Sequence, residues 1–464
     1  MPGRRARIRV TGVTSTSPPG DHDTGVTAGA DPVGDATPST RRAIVATAVL
    51  FAANGAIFGA IVPRLPDLKN ALDVGPAAFG LAMACYPAGA LFGGLLTPVL
   101  MRRRSDGAVA AGAMIATSVA AALVGFSPVV AVFAGLLLLF GVCDSLTDVA
   151  MNAHGIRVQL RLGRSLINRF HATWSLGAVL GAGAGSLSAG LDASVQAQMV
   201  GAAAVCALAA AVTYPMRLGP PVAEDRYGRD LDRPRDLDRP RGAGDPGARR
   251  RLPGGRTLLL LLALGVLACL AEIVEDFAQT WSALYLREVA AAGAGLAGLG
   301  FIAVQGAQLI GRFAGDKLVE GFGTARVGRM GGSCVVLGAG SAFAGSFLLE
   351  GTAMLMVLLV GFALAGWGIA TIIPGAMVGA DALPGLPPGS GLAVLNWVMR
   401  LGFLVSPPLV GLIAEYAGLR WTVAPMIVGG VLITALAGPL LGRTHRHADN
   451  QAGHHADHRP GGAA

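Results

Sequence analysis

Four polar side chains fall inside one long apolar stretch of this 464-residue sequence: Glu272, Glu275, Asp276 and Gln279. Their offsets of 0, 3, 4 and 7 residues place them within one helical arc. Carboxylates this close cannot all ionise in a low-dielectric interior, so at least one is expected to hold a proton at neutral pH. Glu272 and Asp276 are therefore candidates for handling a proton or touching a solute. Arg400 lies in another apolar stretch, with Asn396 one turn before it on the same face. A guanidinium stays charged, so Arg400 needs a carboxylate from the protein or an anionic or polyhydroxylated partner from outside.

A third stretch carries Asp144, Asp148 and Asn152 at i, i+4 and i+8. Asp144 is the deepest, and Asp148 and Asn152 are expected to organise a gate with Arg157, Arg164 or Arg169. Gln305, Gln308 and Arg312 stand at offsets 0, 3 and 7; the glutamines either bind a solute or tie helices together. His171 reads as a structural histidine or a proton relay, and Trp397 beside Asn396 as a surface on which a sugar ring could stack. Ionisable groups in apolar helices cost about 2.5 to 3.5 kcal/mol each on insertion scales, so they face a bundle interior and work there.

The elements that hold these residues are membrane spans. Hydrophobic residues make up 53% of the chain and charged ones 14%, too apolar for an ordinary soluble protein of this length. The 68 glycines sit largely in apolar runs such as Leu180-Gly-Ala-Gly-Ala-Gly185, where membrane helices use small residues to pack closely. A bilayer core of about 30 Å needs roughly 20 apolar residues per helix. Twelve such runs are predicted at 42–63, 77–100, 107–126, 128–150, 169–190, 195–214, 257–285, 294–318, 326–347, 352–379, 389–413 and 420–441. The reading is an all-α membrane protein of twelve transmembrane helices in two pseudo-symmetric six-helix bundles, 42–214 and 257–441. Between them, 215–256 is a charged linker with a duplicated Arg-Asp-Leu-Asp-Arg-Pro. Residues 1–41 and the His-rich 442–464 read as disordered tails. Weak similarity between Trp174-Ser-Leu-Gly-Ala-Val-Leu and Met399-Arg-Leu-Gly-Phe-Leu-Val, six spans apart, supports the repeat.

Arginine placement orients the chain. Arg41, Arg42, Arg102 to Arg104, Arg157, Arg161, Arg164 and the linker arginines fall on one side, so both termini are expected in the cytoplasm, with the spans in the inner membrane. The net charge of +8 follows from this topology, not from nucleic-acid binding. Five cysteines, each alone in a different apolar run, exclude a disulfide framework, and the C-terminal histidines fit no metal spacing. No cofactor is expected, no ATP-binding glycine loop is present, and no nucleophile–base pair suggests an enzyme.

One further stretch points to a family. Gly311-Arg-Phe-Ala-Gly-Asp-Lys-Leu-Val-Glu-Gly-Phe-Gly-Thr-Ala-Arg326 resembles the helix 8–9 copy of the major facilitator loop signature. At the helix 2–3 position, Gly93 to Gly107 has Thr97 or Pro98 where the signature has aspartate. Asp148-Val-Ala-Met-Asn-Ala-His-Gly-Ile-Arg157, followed by Gly163 to Gly177, resembles the poorly characterised permeases of the YbjJ type, distantly similar to fucose permease. The resemblance implies a monomeric alternating-access carrier, usually proton-coupled, moving a small solute through the bilayer. It implies a cytoplasmic latch at Gly311, Asp316 and Lys317. Fucose-permease-like carriers use acids in helices 4 and 1. Asp144 is the nearest match in helix 4, and Asn54 stands at the helix 1 position. Proton-linked uptake of a sugar-like solute or organic acid is the leading expectation. Proton-antiport efflux and a non-transporting solute sensor are the alternatives.

Overall fold

The computed structural model describes residues 37–219, 255–383, 386 and 390–457, with side chains described as far as Gly442. Twelve helices cross it. Eleven are long and apolar enough to span a bilayer: α1 Pro38–Leu72, α2 Pro76–Arg103, α3 Asp106–Val124, α4 Val130–Leu162, α6 Val195–Met216, α7 Gly255–Glu288, α8 Ala294–Phe322, α9 Thr324–Leu348, α10 Gly351–Asp381, α11 Ser390–Ala417 and α12 Leu419–Gly442. The twelfth, α5, runs over Ile167–Gly190, about 36 Å at 1.5 Å per residue. Asn168, Arg169 and His171 in its first turns lower its hydropathy without shortening it.

Helix starts follow local chemistry. Proline at the first position of α1 and α2 sets φ for a helix and loses no needed N–H. The Ser194 hydroxyl accepts from the Ala197 N–H and caps α6. Hydropathy alone misplaces some boundaries: α1, predicted to end at 63, continues to Leu72. α4 is predicted to end near residue 150, yet it continues to Leu162, because Met151, His154, Arg157 and Val158 still bury one face after the apolar run stops. Membrane thickness, which the apolar run measures, is not helix length. The backbone of α12 likewise stays helical to Asp457, into the segment read as a tail. The linker core, 220–254, lies outside the described residues, as do the side chains of the C-terminal histidines.

The halves repeat each other. In the first, α1 packs on α5, α2 on α4, and α3 on α4 and α6; in the second, α7 packs on α11, α8 on α10, and α9 on α10 and α12. Across the halves, α2 meets α11 and α5 meets α8. Glycine makes the tightest seams possible. A Cβ at Gly55 would collide with the Trp174 carbonyl, and one at Gly177 with the Ala52 carbonyl, so α1 and α5 touch backbone to backbone. The α2–α11 seam is similar, with Gly80 against the Pro407 carbonyl and Gly411 against that of Pro76.

Four polar contacts between halves lie on the face opposite the one where α1 begins. Lys69 Nζ lies 3.0 Å from Glu288 Oε1, and Arg287 reaches Asp67 at 3.7 Å. The Ala77 N–H donates to Glu415 at 3.2 Å, and the Gly298 N–H to the Ser186 hydroxyl at 3.2 Å. These contacts seal that face.

Candidate functional site

Two polar clusters converge where the halves meet. In the first half, the Asn54 amide on α1 donates to Asp144 Oδ1 on α4 at 2.6 Å, and the Tyr86 hydroxyl on α2 donates to Asp144 Oδ2 at 2.7 Å. The Trp174 indole on α5 donates to Asn54 Oδ1 at 2.8 Å. Four helices thus orient one carboxylate. Phe58 stacks loosely on Trp174, Tyr86 and, across the halves, Phe301 of α8, giving this cluster an aromatic wall.

The second half contributes α7, where a five-residue π-helical turn, Phe277–Trp281, interrupts the α-helix just after Asp276. Such turns re-aim side chains and recur at functional sites. The carboxylates predicted to share an arc do so at the start of the turn but find different partners. Asp276 is fully buried, accepting from the Ser406 hydroxyl at 2.6 Å and the Thr280 hydroxyl at 3.0 Å. Glu275 accepts from the Gln308 amide on α8 at 3.1 Å. Glu272 has no direct partner among the described residues and interacts electrostatically with both Arg312 and Arg400.

Arg400 joins the clusters. Its Nη1 donates to the Ala90 carbonyl of α2, across the interface, at 3.4 Å. Its field reaches Asp144, Asp148 and Tyr86 in one half and Glu272 in the other. No carboxylate among the described residues lies within ion-pair distance of it. Asn396 is half-buried one turn away. Tyr86 and Asp276 also border a common cavity of about 30 Å³ with Phe58, Gln279 and Thr280, room for a water or two but not for a solute.

The remaining predicted residues separate. Gln305 is 1% exposed with both amide atoms unpartnered, and the Gln308 carbonyl oxygen is also unpartnered, so these glutamines are only partly used in tying helices. His171 is exposed, packs edge-on to Phe51 and lies in the field of Arg312. Trp397 is 49% exposed and belongs to the stripe Val394, Leu401 and Val405, an apolar face set off from the Asn396–Arg400 face. Stacking a solute on it is thereby disfavoured, since offsets of 0, 3, 7 and 11 align it with side chains that a bilayer covers.

At the gate, Asn152 donates to both the carboxylate and the carbonyl of Asp148 at 2.9 Å. The expected arginine partner goes elsewhere. Arg157 pairs with Asp106 at 2.9 Å and donates to the Gly219 carbonyl, while His154 meets the same Asp106 oxygen at 3.0 Å. Arg164 is exposed in the turn after α4. Gly311 packs on Ala370 of α10, and Asp316 and Lys317 are exposed within the last turns of α8, not in a loop. Among the described residues no cluster of His, Cys, Asp or Glu could hold a metal.

Comparison with known proteins decides the family. Residues 46–385 match the model of the Major Facilitator Superfamily. The chain belongs to that superfamily. It is 30% identical over 378 residues to the uncharacterized transporter y4wD of Sinorhizobium fredii, covering 80% of this chain and 90% of that one. An uncharacterized MFS-type transporter of Yersinia pestis is 26% identical, covering 85% and 94%. Among solved structures, a bacterial homolog of the human lysosomal transporter Spinster, inward-facing and unoccupied, aligns with a TM-score of 0.68 at 13% identity, covering 89% of this chain and 99% of that one. The superfamily member is thus a multi-pass transporter of small solutes. Asp106, His154, Tyr86 and Ser406, which sequence reasoning passed over, are common residue types whose partners lie on other helices; the internal Asp106 sits beside an arginine run that reads as loop.

Proposed function

We propose that this transporter is a proton-coupled secondary carrier moving a small polar solute, sugar-like or an organic acid, across the cytoplasmic membrane by alternating access. One observation carries the reading: Arg400 bonds the α2 backbone across the interface and lies in electrostatic reach of Asp144 from one half and Glu272 from the other, without an ion-pair partner among the described residues. A charge held this way at the interface of two bundles is available to a solute. Its surrounding carboxylates are available to protons, because neutralising one changes how the guanidinium is shared. Tyr86 links Asp144 toward the small cavity that Asp276 borders, a short route for a proton between the halves.

The face that these contacts bridge carries Glu288 and Glu415, and the arginine-rich face is the one on which α1 begins, which supports a cytoplasmic location for both termini. The chain acts as a monomer and performs no covalent chemistry. A thermal-shift screen of the purified protein across sugars, organic acids and amines identifies the solute. Counterflow in liposomes then tests transport: exchange of labelled solute supports the carrier, and tight binding without exchange would indicate a sensor.

A further inference from the structure

We infer that Ser145, Gly94 and Arg400 form a niche for the oxyanion of the solute, and that the solute class is therefore a small carboxylate. The inference rests on the reading of Arg400 as a solute-facing group and adds the chemistry it faces. Ser145 follows Asp144 on α4; it is 4% exposed, and its hydroxyl has no hydrogen-bond partner among the described residues. Leaving a buried hydroxyl unused is unfavourable, and a bound acceptor recovers that cost. Arg400, from the other half, brings a guanidinium whose one hydrogen bond among the described residues is a long contact to the Ala90 carbonyl.

Gly94 on α2 lies between them. A Cβ placed there would stand 3.5 Å from Ser145 Oγ and 3.9 Å from Arg400 Nη1, with nothing else within 4 Å. The glycine leaves a gap that one hydroxyl donor and one cationic donor flank. A two-oxygen group seated over Gly94 takes the Ser145 O–H on one oxygen and an Arg400 N–H on the other, the charge-assisted pairing that suits a planar carboxylate. A neutral hydroxyl would satisfy Ser145 but give the guanidinium no charge-assisted hydrogen bond.

The niche has acidic neighbours: Asp144 and Asp148 on α4, with Glu272 across the interface and Tyr86 on α2. An anion seated there adds negative charge beside these carboxylates, so its binding and that of a proton favour each other, and by linkage equally in both directions. Solute anion and proton then enter together.

The test needs no known solute. The full chain carrying Gly94→Cys is reconstituted in nanodiscs and labelled with anionic sulfonatoethyl, cationic trimethylammonioethyl or neutral methyl methanethiosulfonate. Labelling at position 94 is followed by peptide mass, and each rate is divided by the rate with 2-mercaptoethanol. The anionic reagent is expected to lead the cationic one by at least about fivefold, Arg400→Lys to keep the preference, and Arg400→Gln to remove it. A cationic preference, a ratio unchanged by Arg400→Gln, or a cysteine closed to the neutral reagent would each overturn the niche. If Gly94→Cys fails to elute as a monodisperse species, Ser145→Cys reads the same ratio. Labelling does not depend on transport, so failure here leaves counterflow of a neutral solute standing, and absent counterflow leaves the niche result intact.

Discussion

Asp144, half-buried, and Asp276, fully buried, are each held by two neutral donors, yet their settings differ. Asp144 takes its hydrogen bonds from Asn54 and Tyr86 and lies in the field of Arg400, whereas Asp276 is enclosed by Ser406 and Thr280. Tyr86→Phe removes one donor to Asp144 and should slow proton-driven transport several-fold while leaving the fold intact, measured as initial uptake at fixed solute concentration against melting temperature. Ser406→Ala leaves Asp276 one donor short in a sealed site and should cost about 1 to 3 kcal/mol of stability, visible as a lower melting temperature in detergent. At this scale the sequence was informative about which residues matter more than about whom they meet. Helical offsets placed Glu272, Glu275 and Asp276 together, but could not show that Gln308 takes one and Ser406 another, since those partners arrive from α8 and α11. Asn54, which stands where the resemblance implies an acid in helix 1, donates directly to Asp144, so that position joins the cluster with a neutral group.

The α1–α5 seam shows what the elements demand. Gly55, Gly59, Gly177 and Gly181 each face a carbonyl of the opposite helix, and this backbone contact is what brings Trp174 within reach of Asn54. Gly177→Val forces the helices apart or misplaces Trp174; overpacking of this kind costs about 1 to 3 kcal/mol or more, and little monodisperse protein is expected on gel filtration. Glycine density therefore signalled close helix contact correctly, although which pairs of helices touch is a tertiary fact. The α7 π-turn was not legible in the sequence: Phe277-Ala-Gln-Thr-Trp281, with no proline or glycine, reads as continuous helix. The length of α4 was equally hidden, because its last turns lie beyond the apolar run and are held by Asp106, which takes Arg157 and His154, whereas the sequence offered Arg157, Arg164 or Arg169 to Asp148 and Asn152.

Across the whole molecule, the twelve spans and the six-plus-six division were legible because bilayer thickness imposes a length on every helix and a hydrophilic linker interrupts the series only once. Which face is closed was not legible, since it depends on contacts such as Lys69–Glu288 and Glu415 with the start of α2. Those contacts must part if the halves rock about the central site. Joining residues 69 and 288 through a Lys69→Cys, Glu288→Cys disulfide should abolish net transport and restore it on reduction. The account stands most directly on the carboxylates around Arg400, and the measurement that addresses them is solute accumulation by proteoliposomes under an imposed pH gradient, wild type against Glu272→Gln. Accumulation by the wild type, with the variant exchanging solute but failing to concentrate it, is the predicted result; a variant that concentrates solute as well as the wild type does would contradict proton coupling through this site.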